Sequence, residues 1–295
     1  MTDTILVTGA SGKLGRAVID HLLDSQGVAP GRIVAGSRNP AGLADLAARG
    51  VVVRKVDFDD QPGLEDAFAG AGTVLIVSTD MIDGAGTRLR QHRAAVAAAK
   101  KAGVERIAYT SLPDAATSSV SFAPDHLGTE QAIEATGLAA LIFRNNWYQE
   151  NLFMSLPQAL KTGQWYTSAE DGRTAFVARD DIAAAIAGAL ANPPAGSATW
   201  TLTGSEALTN DEIAQLAADA VGRPIQVVRL SDEQLAGGMK AAGVPEAIVP
   251  MLVSFEKAAR AGDLGTITDD VATLSGRLPR TVRDFLAASK AALTA

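Results

Sequence analysis

A chain of 295 residues, 47% of them hydrophobic, can bury a core large enough for one big domain or two, and ~150 residues per domain favours two. Its net charge of −7 and pI near 5.0 argue against non-specific binding to nucleic acid or to an anionic membrane. The absence of cysteine removes disulfides, thiolate metal sites and cysteine nucleophiles together and fits the cytoplasm. Met1-Thr2-Asp3-Thr4 has no basic region, so no signal peptide is expected, and the longest apolar run, Ile182 to Ala191, is too short to span a bilayer.

The first predicted strand, Ile5-Leu6-Val7, runs into Thr8-Gly9-Ala10-Ser11-Gly12-Lys13-Leu14-Gly15, and Leu14, Val18, Ile19 and Leu22 then recur at helical spacing. An apolar run, glycines spaced G-x-x-G-x-x-G and an amphipathic helix read as strand, tight turn and helix, the arrangement that binds a dinucleotide pyrophosphate. Gly9 lets the chain leave the strand where a Cβ would be forbidden, Gly12 admits the backbone to the pyrophosphate, and Gly15 lets the helix close on the strand. The unpaired N–H groups of the first helical turn face the anion.

Arg32 to Ser37 is the second predicted strand. An acidic residue at its end would accept from the ribose 2′-hydroxyl of NAD; this chain has Ser37 and Arg38, a hydroxyl beside a guanidinium fork that suits the 2′-phosphate of NADP. NADPH is therefore predicted over NADH. Helix 41–49 and strand 51–56 follow, then Asp57-Phe58-Asp59-Asp60. Asp57 is placed to accept from the adenine amino group with Phe58 against the ring, and a merely local role is the equal alternative; Asp60 reads as the N-cap of the helix begun by Pro62.

Thr73 to Val77 is a continuous apolar strand ending in Ser78 and Thr79, on the edge where ligands lie in an open α/β sheet. The next helix, Thr87 to Ala102, carries His92, read as a surface or internally satisfied histidine. Arg106 to Ser111 is strand five. Leu112 to Ala123 is a long Ser/Thr/Ala/Pro loop and a candidate lid. A helix from Pro124 or Asp125 to near Gly137 leads to strand six, Ala140 to Phe143, and on into Arg144-Asn145-Asn146-Trp147-Tyr148-Gln149-Glu150-Asn151. This is the densest group of recognition-type residues in the chain, a plain helix start being the alternative.

Six strand-helix units imply an α/β, Rossmann-type doubly wound parallel sheet. Residues 1–150 are expected to form this dinucleotide-binding domain and residues 151–295 a smaller α+β substrate domain. In the second part 163–168, 172–177 and 225–230 read as strands, Arg179-Asp180-Asp181 caps an alanine-rich helix, and 199–203 returns to the main sheet.

The glycine turn, Arg38-Asn39-Pro40, the strand Ile107-Ala108-Tyr109-Thr110-Ser111, the run from Arg144 to Asn151, and Gly243-Val244-Pro245-Glu246 together resemble the atypical short-chain dehydrogenase/reductases of the NmrA-like group. Within that group the chain is most similar to the bacterial NAD(P)H:quinone oxidoreductases and triphenylmethane reductases. The resemblance implies a Rossmann domain holding NADPH, with Gly9 through Gly15 on the pyrophosphate, Arg38 on the 2′-phosphate, and Ser78 and Thr79 beside the ribose. It also implies that Asn145, Asn146, Trp147, Tyr148 and Glu150 lie beside the nicotinamide; Ser111, a hydroxyl at the carboxyl end of strand five, is a further cofactor-binding candidate. Asn151 matches the asparagine thought to help electron transfer in the quinone reductases.

Conventional short-chain dehydrogenases carry a Tyr-x-x-x-Lys pair where this chain has His126-Leu127-Gly128-Thr129-Glu130. A ketone reduced to an alkoxide needs a positioned acid worth ~10²–10⁴ in rate. A quinone gives a hydroquinone anion that water protonates, and a triarylmethyl cation needs only hydride, so protein work reduces to binding, orienting and excluding water. The expected activity is NADPH-dependent hydride transfer to a quinone or similar conjugated electrophile, with Asn151 and His126 as catalytic candidates and no metal. The alternatives are a redox-sensing dinucleotide-binding protein without turnover, and a dye or azo reductase. A monomer or homodimer is expected.

Overall fold

A computed structural model describes residues 4–294. Seven parallel strands form the main sheet: β1 (Ile5–Val7), β2 (Ile33–Ser37), β3 (Val52–Lys55), β4 (Thr73–Ile76), β5 (Arg106–Ser111), β6 (Ala139–Asn145) and β8 (Ala198–Leu202), in the order β3-β2-β1-β4-β5-β6-β8. The order reverses between β1 and β4, which opens a crevice above their carboxyl ends. The register pairs Val7 with Ala35 on one side and Leu75 on the other.

Both faces of the sheet are covered, and this is why its central strands read as unbroken apolar runs. On one face Ile5, Val7, Ala35 and Leu75 pack against α1 (Lys13–Asp24) and α7 (Arg179–Ala191). On the other, Leu6, Val34, Val74 and Ile107 meet α3 (Gln61–Phe68), α4 (Thr87–Lys101) and α5 (Ala123–Glu134). The alternation is the period-two pleat of the strands. The interior of α7 is a run of buried small residues, and a Cβ at Gly188 would overlap the Leu274 carbonyl of α11 (Asp270–Ser275). Small side chains thus let α7 sit tightly between α1 and α11. The helix predicted over 41–49 shrinks to a 3₁₀ turn at 40–43 and the five-residue α2 (Ala44–Ala48). Asp60 caps α3, accepting from Gly63 N at 3.3 Å.

The remaining chain builds two apolar clusters beyond the carboxyl edge of the sheet. The parallel pair β7 (Gln164–Thr167) and β9 (Gln226–Arg229) packs with α6 (Leu156–Thr162), α8 (Asn210–Val221), α12 (Val282–Ala288) and α13 (Lys290–Thr294). In the other cluster α10 (Val249–Ala261), beside α9 (Asp232–Ala241), packs Phe255 and Ala258 against Leu112 and Val120. As expected, β8 returns to the main sheet and pairs with β6.

Two expectations are corrected. Residues 172–177 form no strand, only single bridges from Thr174 to Leu208 and from Val177 to Tyr148. Their backbone bonds go to scattered partners, Ala175 N to Leu264 O and Val177 N to Trp147 O, so no ladder propagates. The 112–123 loop is not a free lid: Ser119 N donates to Asp263 and Ser121 N to Ser254 Oγ, while Leu112 and Val120 are buried against α10.

Candidate functional site

A cavity of about 640 Å³ opens at the switch point of the sheet. One wall is the glycine turn. Gly9 has φ +62° and accepts from Gly12 N at 2.9 Å, and a Cβ on Gly15 would lie 2.5 Å from Gly9 O. These two contacts fold the turn back over the strand and bring the first turn of α1 to the cavity. No side chain caps that helix, so its terminal N–H groups have no partner within the helix. A diphosphate supplies the acceptors they lack.

Ser11, Gly12, Lys13, Leu14 and Gly15 line this wall; Ser37, Arg38, Asp57 and Phe58 line the next; Ser78, Thr79 and Tyr148 lie at the far end. Arg38 is exposed at the rim and its charge reaches Asp59 only at a distance. Ser37 Oγ donates to Ser11 Oγ at 3.1 Å and accepts from Asn39 N at 3.1 Å, fixing the β2 exit against the glycine turn. Asp57 accepts from Asp59 N, a local turn that leaves its carboxylate in the cavity wall. The donor set therefore fits a phosphorylated dinucleotide: uncapped amides for the diphosphate, an unpaired guanidinium past β2, and no acid at that position.

Other predicted residues lie elsewhere. Ala10 is fully buried and its N–H holds Gly36 O at 3.0 Å. Ser111 Oγ donates to Glu130 at 2.5 Å. Asn146 donates to Leu264 O at 3.0 Å and accepts from Trp147 N at 2.7 Å. The Trp147 ring stacks on Phe255 with centroids 3.5 Å apart. Glu150 accepts from Arg179 N at the start of α7. Asn146 and Trp147 thus join the sheet to the cluster around α10, Ser111 ties β5 to α5 and Glu150 ties the turn after β6 to α7, and none of the four lines the cavity. Asn145 is buried at the end of β6, close to Tyr148, with Oδ1 unpartnered. Asn151 follows in a 3₁₀ turn, its N–H on Tyr148 O.

Below the far end lies a polar cluster that spans three elements. Thr79 N donates to His92 Nε2 at 3.0 Å, so His92 carries its proton on Nδ1 and gives it to Thr129 Oγ1, also 3.0 Å away. Arg88 Nη2 donates to His126 Nε2 at 2.9 Å, so His126 donates from Nδ1 to Tyr109 Oη at 2.8 Å. Burial, and secondarily the Arg88 charge, pushes His92 down to about 3 and His126 well below the ordinary imidazole range. His92 is thus an internally satisfied histidine. His126, 3% exposed with both nitrogens engaged, has no N–H to offer an acceptor, which corrects its candidacy as a proton donor. Glu130, at the position of the conventional lysine, is gripped by Arg144 through Nε at 3.1 Å and Nη2 at 2.7 Å.

The sequence reading missed Arg88, Gln91 and Arg179. Gln91 and Arg179 line the cavity, and Arg179 lies over the Tyr148 ring at 5.1 Å. A signal was present on α4: Arg88, Gln91, His92, Ala95 and Ala99 share its buried face, and polar residues at helical spacing ahead of small apolar ones mark a buried polar site. Among the described residues no group of acidic or histidine side chains could hold a metal, and no helix is long and apolar enough to cross a membrane.

Sheet order, glycine turn and cavity define a Rossmann-type dinucleotide-binding protein of the short-chain dehydrogenase/reductase kind. The chain belongs to the NmrA-like family, whose model matches residues 1–286. It is 36% identical over 271 residues to quinone oxidoreductase 2 of Escherichia coli K12, covering 92% of each chain. The crystal structure of that organism's NADPH-dependent quinone oxidoreductase complexed with NADPH superposes with a TM-score of 0.91 at 34% identity, over 99% of this chain and 100% of the other. The Citrobacter sp. triphenylmethane reductase complexed with NADP(H) gives 0.90 at 32% identity, covering 97% and 100%. The NAD(P)H azoreductase of Xenophilus azovorans is 28% identical over 99% of both chains.

Proposed function

We propose that the chain is an NADPH-dependent reductase that passes hydride directly to a quinone or similar conjugated electrophile. One observation carries this reading. The cavity offers a dinucleotide its diphosphate and 2′-phosphate contacts, while the positions of the conventional acid pair, His126 and Glu130, are spent on Arg88, Tyr109, Ser111 and Arg144. With no acid to protonate an alkoxide, acceptors whose reduced form is a stable anion or a neutral leuco compound are favoured. The named activities of the quinone oxidoreductase, triphenylmethane reductase and azoreductase relatives support the same class.

When bound, the dihydronicotinamide supplies the hydride. The uncapped start of α1 and Arg38 anchor the two phosphate groups, and Ser78 and Thr79 hold the ribose between them. The free Oδ1 of Asn145 beside Tyr148 is an acceptor for the carboxamide N–H, which fixes the ring face. Asn151 orients the acceptor above it, and the wall formed by the 112–123 loop and α10 excludes water.

The test follows NADPH absorbance with and without a simple quinone. Acceptor-dependent oxidation is expected, and tight NADP binding without turnover across a panel of quinones and dyes would instead make the chain a sensor. Asn151→Ala is expected to lower kcat by ~10-fold or more with NADPH affinity unchanged, as misplacement of a reactant costs rate rather than cofactor binding. Unchanged turnover would return Asn151 to a packing role.

A further inference from the structure

Gln91 is a buried amide with one end committed and the other free. It stands on α4, 5% exposed, and lines the cavity. Its Nε2 donates to Asp59 Oδ2 at 2.9 Å, and Arg90 Nη2 donates to the other oxygen of that carboxylate at 2.8 Å. These bonds, Arg90 first, hold the Asp59 carboxyl below its ordinary range, so it stays ionised and can only accept. The NH₂ group of Gln91 must therefore face Asp59, and the amide cannot turn end for end. That leaves Oε1, which is buried and has no hydrogen-bond partner. A buried carbonyl without a donor is costly, and on a cavity wall it marks the place where a ligand's donor belongs.

The surroundings of Gln91 identify that donor. Asp59 directly follows Asp57 and Phe58, which line the same cavity just past the end of β3. Arg38 stands beside them at the exit of β2, the strand paired with β3. Gln91 thus belongs to the end of the cavity that takes the phosphorylated ribose and its base. Asn145, the acceptor proposed for the carboxamide, ends β6, far along the strand order. On the adenosine half of NADPH the exocyclic amino group of adenine is the sole N–H donor. Phe58 offers the purine ring an apolar surface.

We infer that Gln91 reads the base of the cofactor: Oε1 accepts from the adenine amino group, and the chain from Arg90 through Asp59 to Gln91 fixes the amide in that orientation, so that a 6-oxopurine is rejected. The inference rests on the dinucleotide reading of the cavity and deepens it. Hypoxanthine carries an oxygen where adenine carries its amino group. That oxygen meets Oε1 as acceptor against acceptor, with no proton between them, and the buried carbonyl stays unpaired. Such a site discriminates more strongly than one that merely loses a contact. Gln91 touches the base rather than the reacting atoms, and Asp59 and Arg90 act through it as positioning residues.

The test titrates the dihydronicotinamide fluorescence of NADPH and of reduced nicotinamide hypoxanthine dinucleotide phosphate, with no acceptor present. The unmodified protein is expected to bind NADPH tighter by on the order of 10- to 100-fold. Gln91→Met, similar in volume, is expected to weaken NADPH and to leave the analogue nearly unchanged, so that the preference collapses to about threefold or less. Asp59→Ala removes a half-exposed carboxylate and frees the amide to turn, so that Nε2 can donate to the 6-oxo group; the analogue then gains affinity and the preference narrows. A preference carried by Asp57 instead would survive both changes. Equal affinities in the unmodified protein, or a preference unaltered in Gln91→Met, would overturn the inference while NADPH binding and quinone reduction stand. Failure of both dinucleotides to bind would remove the cofactor reading along with it. If Gln91→Met does not fold, Asp59→Ala decides by the same ratio.

Discussion

Arg38→Ala is expected to weaken NADPH binding by on the order of 10- to 100-fold while changing NADH affinity by no more than about threefold, the loss being that of a charge-assisted phosphate contact. Arg38 sits on the cavity rim, exposed and without an ion pair, so its fork is free for a ligand. Ser37 cannot take over, because its hydroxyl already bridges Ser11 and Asn39. Added salt should erode the preference, since an exposed cation is screened. Fluorescence titrations with both dinucleotides check the point, and equal losses would remove the 2′-phosphate assignment.

The second large effect is acid sensitivity of the fold. His92 and His126 are held neutral in the folded protein, His92 down at about 3 and His126 well below its ordinary value. In both, burial acts first and Arg88 second. The unfolded chain frees both imidazoles to titrate near 6.5, as in model peptides. A folded-state value depressed in this way contributes stability that is present above the unfolded value and lost as the pH falls. Between about pH 6 and 4 the unfolded chain binds two more protons, so stability drops by roughly 1.4 kcal/mol per pH unit for each imidazole. Of the groups facing the pair, Arg88 stays charged and Tyr109, pushed up by burial, does not titrate in this range, while Asp125, raised by burial, takes up its proton earlier in the folded protein and offsets part of the loss at the acid end of the window. Urea unfolding at pH 7.5, 6 and 5 should show that slope, and His126→Asn should halve it. Imidazoles that titrate normally in native-state NMR would contradict the account.

Much of the fold was legible because burial on both faces of a parallel sheet writes itself as continuous apolar runs, and Thr73–Ile76 or Arg106–Ser111 need no distant information. Residues 172–177 were misread for the opposite reason. Their backbone hydrogen bonds go one by one to Leu208, Leu264 and Trp147, partners far away in the chain. In the site the glycine turn and Arg38 are local motifs, and spacing alone places them on one wall. The run from Asn145 to Glu150 shows where such reading ends. An amide, an indole and a carboxylate at a strand end look alike whether they face a ligand or, like Asn146, Trp147 and Glu150, hold two parts of the protein together. The Arg88, His92, Tyr109 and His126 cluster draws on α4, β5 and α5, so only the tertiary structure assembles it.

The late return of the chain to its first sheet has a practical consequence for protein engineering. A gene truncated after residue 150 would still encode the whole phosphate loop. Its product would nonetheless expose the bare edge of β6, which β8 covers, and the side of α1 against which α7 packs with α11 behind it. An open strand edge beside a stripped apolar face invites aggregation, so the nucleotide-binding half is no portable module, and during synthesis it waits for its own carboxyl-terminal third before it can close.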